Sequence, residues 1–179
     1  MPLVLAGASS GSTTIQATDA VTQTITLPNN TGTVLTTAST FAGTGPAFSA
    51  YQSSATLLTH NAYTKILFDT EEYDTNNNFA SSRFTPTVAG YYQLSMQASF
   101  ASFLTTETVL AVYKNGSLYM YLQDIIASRL YGFSASTLVY ANGSTDYFEF
   151  FVYQSSGTAV NTATTRSQTS FSGAMVRSA

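Results

Sequence analysis

The stretch TVLAVYKNGSLYMYLQ, residues 108–123, sets two runs rich in β-branched and aromatic residues on either side of Asn115-Gly116. Asn-Gly suits a two-residue type I′ turn, in which both central residues take positive φ, so the stretch reads as a β-hairpin. Working outward, a second Asn-Gly at Asn142 and Gly143 separates LYGFSASTLVY from DYFEFFVYQ, and Pro86 to Gly90 breaks the chain before GYYQLSMQASF. The runs AFSAYQ, YTKILFD and SFSGAMV show the same alternation. No segment sustains a helical period with caps. About eight short strands divided by turn chemistry predict an all-β sandwich or jelly roll.

Composition narrows the function. With 29 Thr and 23 Ser among 179 residues and only 8% charged residues, the chain is hydroxyl-rich, yet 44% apolar residues suffice for a core. Without cysteine there is no disulfide framework, thiolate nucleophile or cysteine-ligated metal. Six dispersed Lys and Arg residues and a net charge of −3 leave no footprint for nucleic acid or an anionic membrane. MPLVLAGASSG lacks the basic n-region and long apolar stretch of a signal peptide, and no run is long enough to span a bilayer as a helix, so no membrane insertion is expected.

Charge also divides the chain: Asp19 is the sole formal charge before Lys65. STTIQAT at 12–18, TQTITLP at 22–28 and GTVLTT at 32–37 read as short extended pieces that bury too little surface to stand alone. They must lie on the next domain, intertwine with other copies or dock on a partner. The expected organisation is a β segment at 1–41, a Gly/Pro joint at 42–46 and a β domain at 47–179.

In DYFEFFVYQ, Phe148, Phe150 and Val152 share one face, and Tyr147, Phe151 and Tyr153, interrupted by Glu149, share the other. Two aromatic faces on one strand require either cover from the same chain or burial between subunits.

From residue 46 onward the order of runs resembles the complement C1q-like, tumour-necrosis-factor-like jelly roll. PAFSAYQ resembles its opening strand, and ILFD with Phe68 the strand ending in Phe. YDTNNNFASSRFTPTVAGYYQLSMQASF resembles its most recognisable stretch through Phe84, Pro86, Gly90, Tyr92 and Leu94. SFSGAMV resembles the closing strand through Phe171 and Gly173. The resemblance implies a ten-stranded type of sandwich and a homotrimer, with Tyr147, Phe151 and Tyr153 as candidate trimer contacts. Gly90 is expected to turn the chain into a buried strand, and Gly173 to permit a close approach.

LVLAGASSGSTTIQA followed by TITLPNNTGTVLTT resembles an element of tail-fibre and other structural proteins of tailed phages, including those of cyanobacteria. The paired resemblances imply a non-enzymatic virion component, assembled in the host cytoplasm and released on lysis. It would contact other virion proteins through residues 1–41 and host-surface glycans through its loops. A tail fibre or receptor-binding tip, a capsid decoration or cement protein or head fibre, and a soluble cellular carbohydrate-binding module remain distinct readings.

Other chemistry is weaker. GASSG at Gly7 to Gly11 matches a nucleophile elbow in letters but lacks the strand-to-helix context, so a turn is the better reading. Asp69, Glu71, Glu72 and Asp74 could supply oxygen ligands to calcium, the one cofactor considered, though without EF-hand spacing. Sequons at Asn29, Asn115 and Asn142 are explained by turn formation. Asn76, Asn77 and Asn78 in one loop, and Asn161, Thr164 and Arg166 in another, are candidate receptor contacts, since such side chains hydrogen-bond sugars at low entropic cost. His60 reads as an ordinary surface residue.

Overall fold

Alternation and turn chemistry are realised as an all-β fold in the computed structural model, which describes Leu3–Ala6, Ser12–Ile15 and residues 45–179. Two units are distinguished, residues 1–37 and 38–179. In the first, β1 (Leu3–Ala6) pairs antiparallel with β2 (Ser12–Ile15). GASSG, TQTITLP, GTVLTT and Asn29 lie outside the described residues; the strands bracketing GASSG form an antiparallel pair, unlike the parallel sheet of a nucleophile elbow.

The second unit follows with β3 (Ala47–Tyr51), β4 (Leu57–Leu58), β5 (Ala62–Lys65), β6 (Thr70–Asp74), β7 (Phe79–Ala80) and β8 (Arg83–Phe84). Two 25-residue strands come next, β9 (Gly90–Lys114) and β10 (Ser117–Ala141), then β11 (Phe148–Gln154), β12 (Val160–Asn161) and β13 (Ser170–Ser178). The turn between β9 and β10 has φ 55° at Asn115 and 76° at Gly116, the geometry that Asn-Gly supplies.

The sequence predicts separate strands in GYYQLSMQASF and TVLAVYK, and again in SLYMYLQ and LYGFSASTLVY. The structure corrects this: each pair is one bent strand. SFLTTET has no Gly, Pro or Asn to end pairing, so the chain runs on through a left-handed Thr106, φ 74°, with register shifts opposite it between Ala127 and Gly132. The bend carries the hairpin from one layer to the other. One layer is β6, β3, β13, the first half of β9 and the second half of β10; the other is β7, β8, β11, the second half of β9 and the first half of β10. These ten segments form the jelly roll.

The core fills the space between the layers. Phe48 stacks on Phe84 at 4.4 Å and on Phe79 at 4.8 Å, and Phe171 meets Phe48 and Phe150 edge-on at 4.7 and 4.5 Å. Such pairings add to the about 1.5–3 kcal/mol that each fully buried Phe contributes. Tyr92 is fully buried and donates to the Val88 carbonyl at 2.6 Å; burial pushes its phenol up to about 12. A Cβ on Gly173 would meet Leu94 at 2.7 Å and Phe48 at 2.8 Å, the close approach expected. Gly90 serves the same purpose, its missing Cβ making room 2.5 Å from the Arg177 carbonyl oxygen, rather than a turn through positive φ.

Candidate interaction surface

Phe148, Phe150 and Val152 lie in the core, as alternation requires, and the opposite face of β11 is partly covered by groups of the same chain. Arg83 lies over the Tyr147 ring at 3.8 Å, Phe151 stacks on Tyr113 at 3.9 Å, and Tyr63 of β5 packs on Tyr153 at 5.2 Å. Ala111 pairs with both Phe151 and Tyr121 and is wholly covered; near it Tyr121 reaches within 6.3 Å of Tyr63. Burial pushes the Tyr63 hydroxyl well above its ordinary range, reinforced by Tyr121, and burial likewise raises Tyr113. At the centre, buried Glu149 accepts from Lys65 at 2.7 Å and from Arg83 at 3.1 Å, so no charge is left alone under the aromatics. Groups of the same chain thus cover part of Tyr147, Phe151 and Tyr153, and all three are half-buried in the single chain.

The open apolar surface lies on β10. Among the described residues β10 pairs with β9 alone, which leaves its other edge without a partner. Leu118, Tyr119, Met120, Tyr121, Ile126 and Leu138 are all exposed along it, Ile126 to 84%. Tyr91 packs against Tyr140 at 5.5 Å where the same strand ends. An apolar edge of this length is a template for association. Sequence reasoning misses it because the runs do not say which strand has a neighbour on one side only.

The four acids considered for calcium are dispersed in purpose. Asp69 accepts the backbone amides of Ser53 and Ser54 at 2.6 and 2.9 Å; burial opposes its charge, but these bonds prevail and hold it at about 2. Asp74 accepts the Phe79 amide at 2.6 Å, and Glu72 accepts from Ser49 at 2.7 Å and pairs with Arg166. Hydrogen bonds from Ser49 and Arg166 lower Glu72 below the usual carboxylate range. Among the described residues no three such groups gather as a metal site would require.

The candidate receptor loops do not share one end of the molecule. The Thr75 amide binds the Ala47 carbonyl at 3.0 Å, which puts 76–78 at the start of β3, whereas Gln52 binds the Thr169 carbonyl at 3.1 Å, which puts 162–169 beyond its end. Asn78 is corrected from receptor contact to structural residue: it is buried and braces the turn through Thr87, accepting from its amide at 3.1 Å. Asn76, Asn77, Asn161 and Arg166 are exposed, and Thr164 is half-buried. The sequon residues Asn115 and Asn142 serve turns, Asn115 accepting the Tyr147 amide at 2.9 Å and Asn142 the Ser144 amide at 2.9 Å. His60 is half-buried, its Nδ1 accepting the Gly157 amide at 3.1 Å, so it fastens a loop where the sequence suggests a bystander.

No helix of the described residues is long and apolar enough to cross a membrane. No family model matches the chain, and no curated protein matches it in sequence. Solved structures do match. The globular domain of zebrafish complement 1qA protein aligns with TM-score 0.56 at 16% identity, over 75% of this chain and 99% of that one. Murine APRIL at pH 5.0 aligns with TM-score 0.56 at 9% identity, over 74% and 99%. PRD1 vertex protein P5 aligns with TM-score 0.56 at 18% identity, over 76% and 100%. At such identities the likeness speaks to architecture: residues 47–179 fold as a jelly roll of the C1q and tumour-necrosis-factor type.

Proposed function

We propose that the chain is a non-enzymatic structural component of a tailed-phage virion, a homotrimeric jelly-roll head that acts in attachment to the host surface. The observation that carries this reading is the unpaired, apolar edge of β10, exposed along a 25-residue strand. Three copies that bury this edge in a ring satisfy it with closed symmetry, whereas an open arrangement would polymerise. Residues 1–41 would join the head to other virion proteins, and assembly in the host cytoplasm with release on lysis would need no export signal. Phage-like runs in the N-terminal segment favour a tail fibre or receptor-binding tip.

A second reading, a capsid decoration protein or head fibre, is favoured by the similarity to PRD1 vertex protein P5. Electron cryomicroscopy of the intact particle separates them. Trimeric density at the distal tail supports the tip, and density on the shell supports decoration. Absence of the protein from purified particles overturns both.

A further inference from the structure

We infer that the cleft between the ends of β3 and β6 and the 162–169 loop binds an uncharged sugar residue, an assignment that rests on the attachment role proposed above and supplies its ligand class. The cleft has a volume of about 730 Å³. Tyr51 and Ser53 stand on one side, Glu71 and Glu72 on another, and Thr164 and Arg166 on the third.

Its walls are held from behind. Thr162 Oγ1 donates to the Gln52 side-chain oxygen at 2.6 Å, the Thr162 amide donates to the Thr56 carbonyl at 2.9 Å, and all three residues are buried. Thr169 Oγ1 donates to the Ala163 carbonyl at 2.7 Å, and the Gln168 and Thr169 amides both bind the Thr165 carbonyl at 3.0 Å. Asp69 fixes Ser53 and Ser54 through their amides. A recognition loop ordered in advance spares a ligand that entropy cost.

The exposed chemistry has both polarities. Arg166 directs Nε to Glu72, and its terminal nitrogens have no hydrogen-bond partner among the described residues. Glu71 is exposed and its carboxylate likewise accepts nothing from them. A sugar hydroxyl donates and accepts at once, so adjacent hydroxyls can meet a guanidinium and a carboxylate together, while Tyr51 offers an apolar ring edge. Two carboxylates against one guanidinium disfavour a sialic or uronic acid by charge. Glu71 and Glu72 belong to an acidic run and Thr164 and Arg166 to a polar loop far along the chain; the fold brings them to one concavity.

Amide-resolved NMR titration of the full chain with methyl α-D-glucoside, galactoside and mannoside, against N-acetylneuraminic acid, tests the assignment. At least one neutral glycoside is expected to shift the amides of Ser53 and Thr164 to Ser167 with a dissociation constant on the order of 1 mM. Arg166→Ala and Glu72→Gln should each weaken it at least about tenfold. The Arg166 side chain is 67% exposed, so its variant should keep nearly the native thermal midpoint, whereas Glu72→Gln should lower it modestly because the Ser49 and Arg166 bonds favour the charged form. Shifts confined elsewhere, equal binding by Arg166→Ala, tighter binding of the anionic sugar or no shift with any neutral glycoside overturn it. Competition of particle adsorption by added head protein reads the attachment role separately. Sugar binding without competition keeps the cleft and removes that role; competition without sugar binding does the reverse.

Discussion

β6 and the second half of β10 close opposite sides of the β3-containing layer, the first half of β10 is an edge of the other layer, and the two strands are built by opposing rules. β6 is five residues long and carries Glu71, Glu72 and Asp74, so another strand approaching its free edge meets clustered negative charge. β10 runs for 25 residues, carries Asp124 and Arg129 as its only formal charges, and exposes Leu118, Met120, Ile126 and Leu138. Shortness and like charge keep one edge in water. Length and apolar side chains make the other costly to leave bare. The difference sets β10 apart as the edge proposed for subunit contact, because it is the one that lacks a guard.

Placing guards on β10 should break the contrast most severely. Met120→Lys with Leu138→Lys is expected to turn a trimer into folded monomers by mass photometry. An unpaired charge buried at an interface costs roughly 3–5 kcal/mol, enough to raise a dissociation constant more than a hundredfold. Met120 and Leu138 are 39% and 52% exposed in the single chain, so the near-ultraviolet circular dichroism should stay native. A double variant that remains trimeric would remove β10 from the contact.

The β11 face gives the complementary test. Phe151→Ala removes the ring stacked on Tyr113, and half-burial scales the loss to about 1–3 kcal/mol of folding stability. Denaturant midpoints should fall with the subunit count unchanged. If instead the subunits separate while keeping wild-type midpoints, the face of Tyr147, Phe151 and Tyr153 belongs to the interface after all.

Much of this architecture is legible in the residues themselves. In GYYQLSMQASF the even-numbered residues from Tyr92 to Phe100 are buried and face the core, and Asn115-Gly116 makes the hairpin it encodes. What escapes is set by distant neighbours. Tyr63 reaches Tyr113 and Tyr153 only after folding, so the cover over Phe151 has no local signature. Asn78 looks like its exposed neighbours Asn76 and Asn77 until Thr85 and Thr87 come to bind it. The missing break between Phe100 and Thr108 hides the bend, because Thr106 takes a left-handed conformation that threonine rarely adopts.

Removing a guard should act more gently than adding one. Glu71→Ile on exposed β6 is expected to move folding stability by less than about 0.5 kcal/mol. Light scattering should nevertheless reveal species larger than the trimer that grow with concentration, because the edge now offers an apolar side chain beside unpaired backbone. Unchanged scattering would show that Glu72 and Asp74 suffice.

Asp69, just before β6, should give the smallest effect and sharpen the comparison by pH. Its carboxyl stands at about 2 in the folded chain against an ordinary value of 3.8, held down by the Ser53 and Ser54 amides. A folded value below the unfolded one means the unfolded chain takes up the proton more readily as acid is added. The stabilisation is therefore complete above about pH 4 and lost as pH falls toward 2. Asp69→Asn should lower the thermal midpoint modestly at neutral pH, and the gap from wild type should close across that acid window. A gap that stays constant from pH 7 to about 2 would mean that the side chain supports β6 by shape and neutral hydrogen bonding, and that charge on this edge serves only to repel other strands.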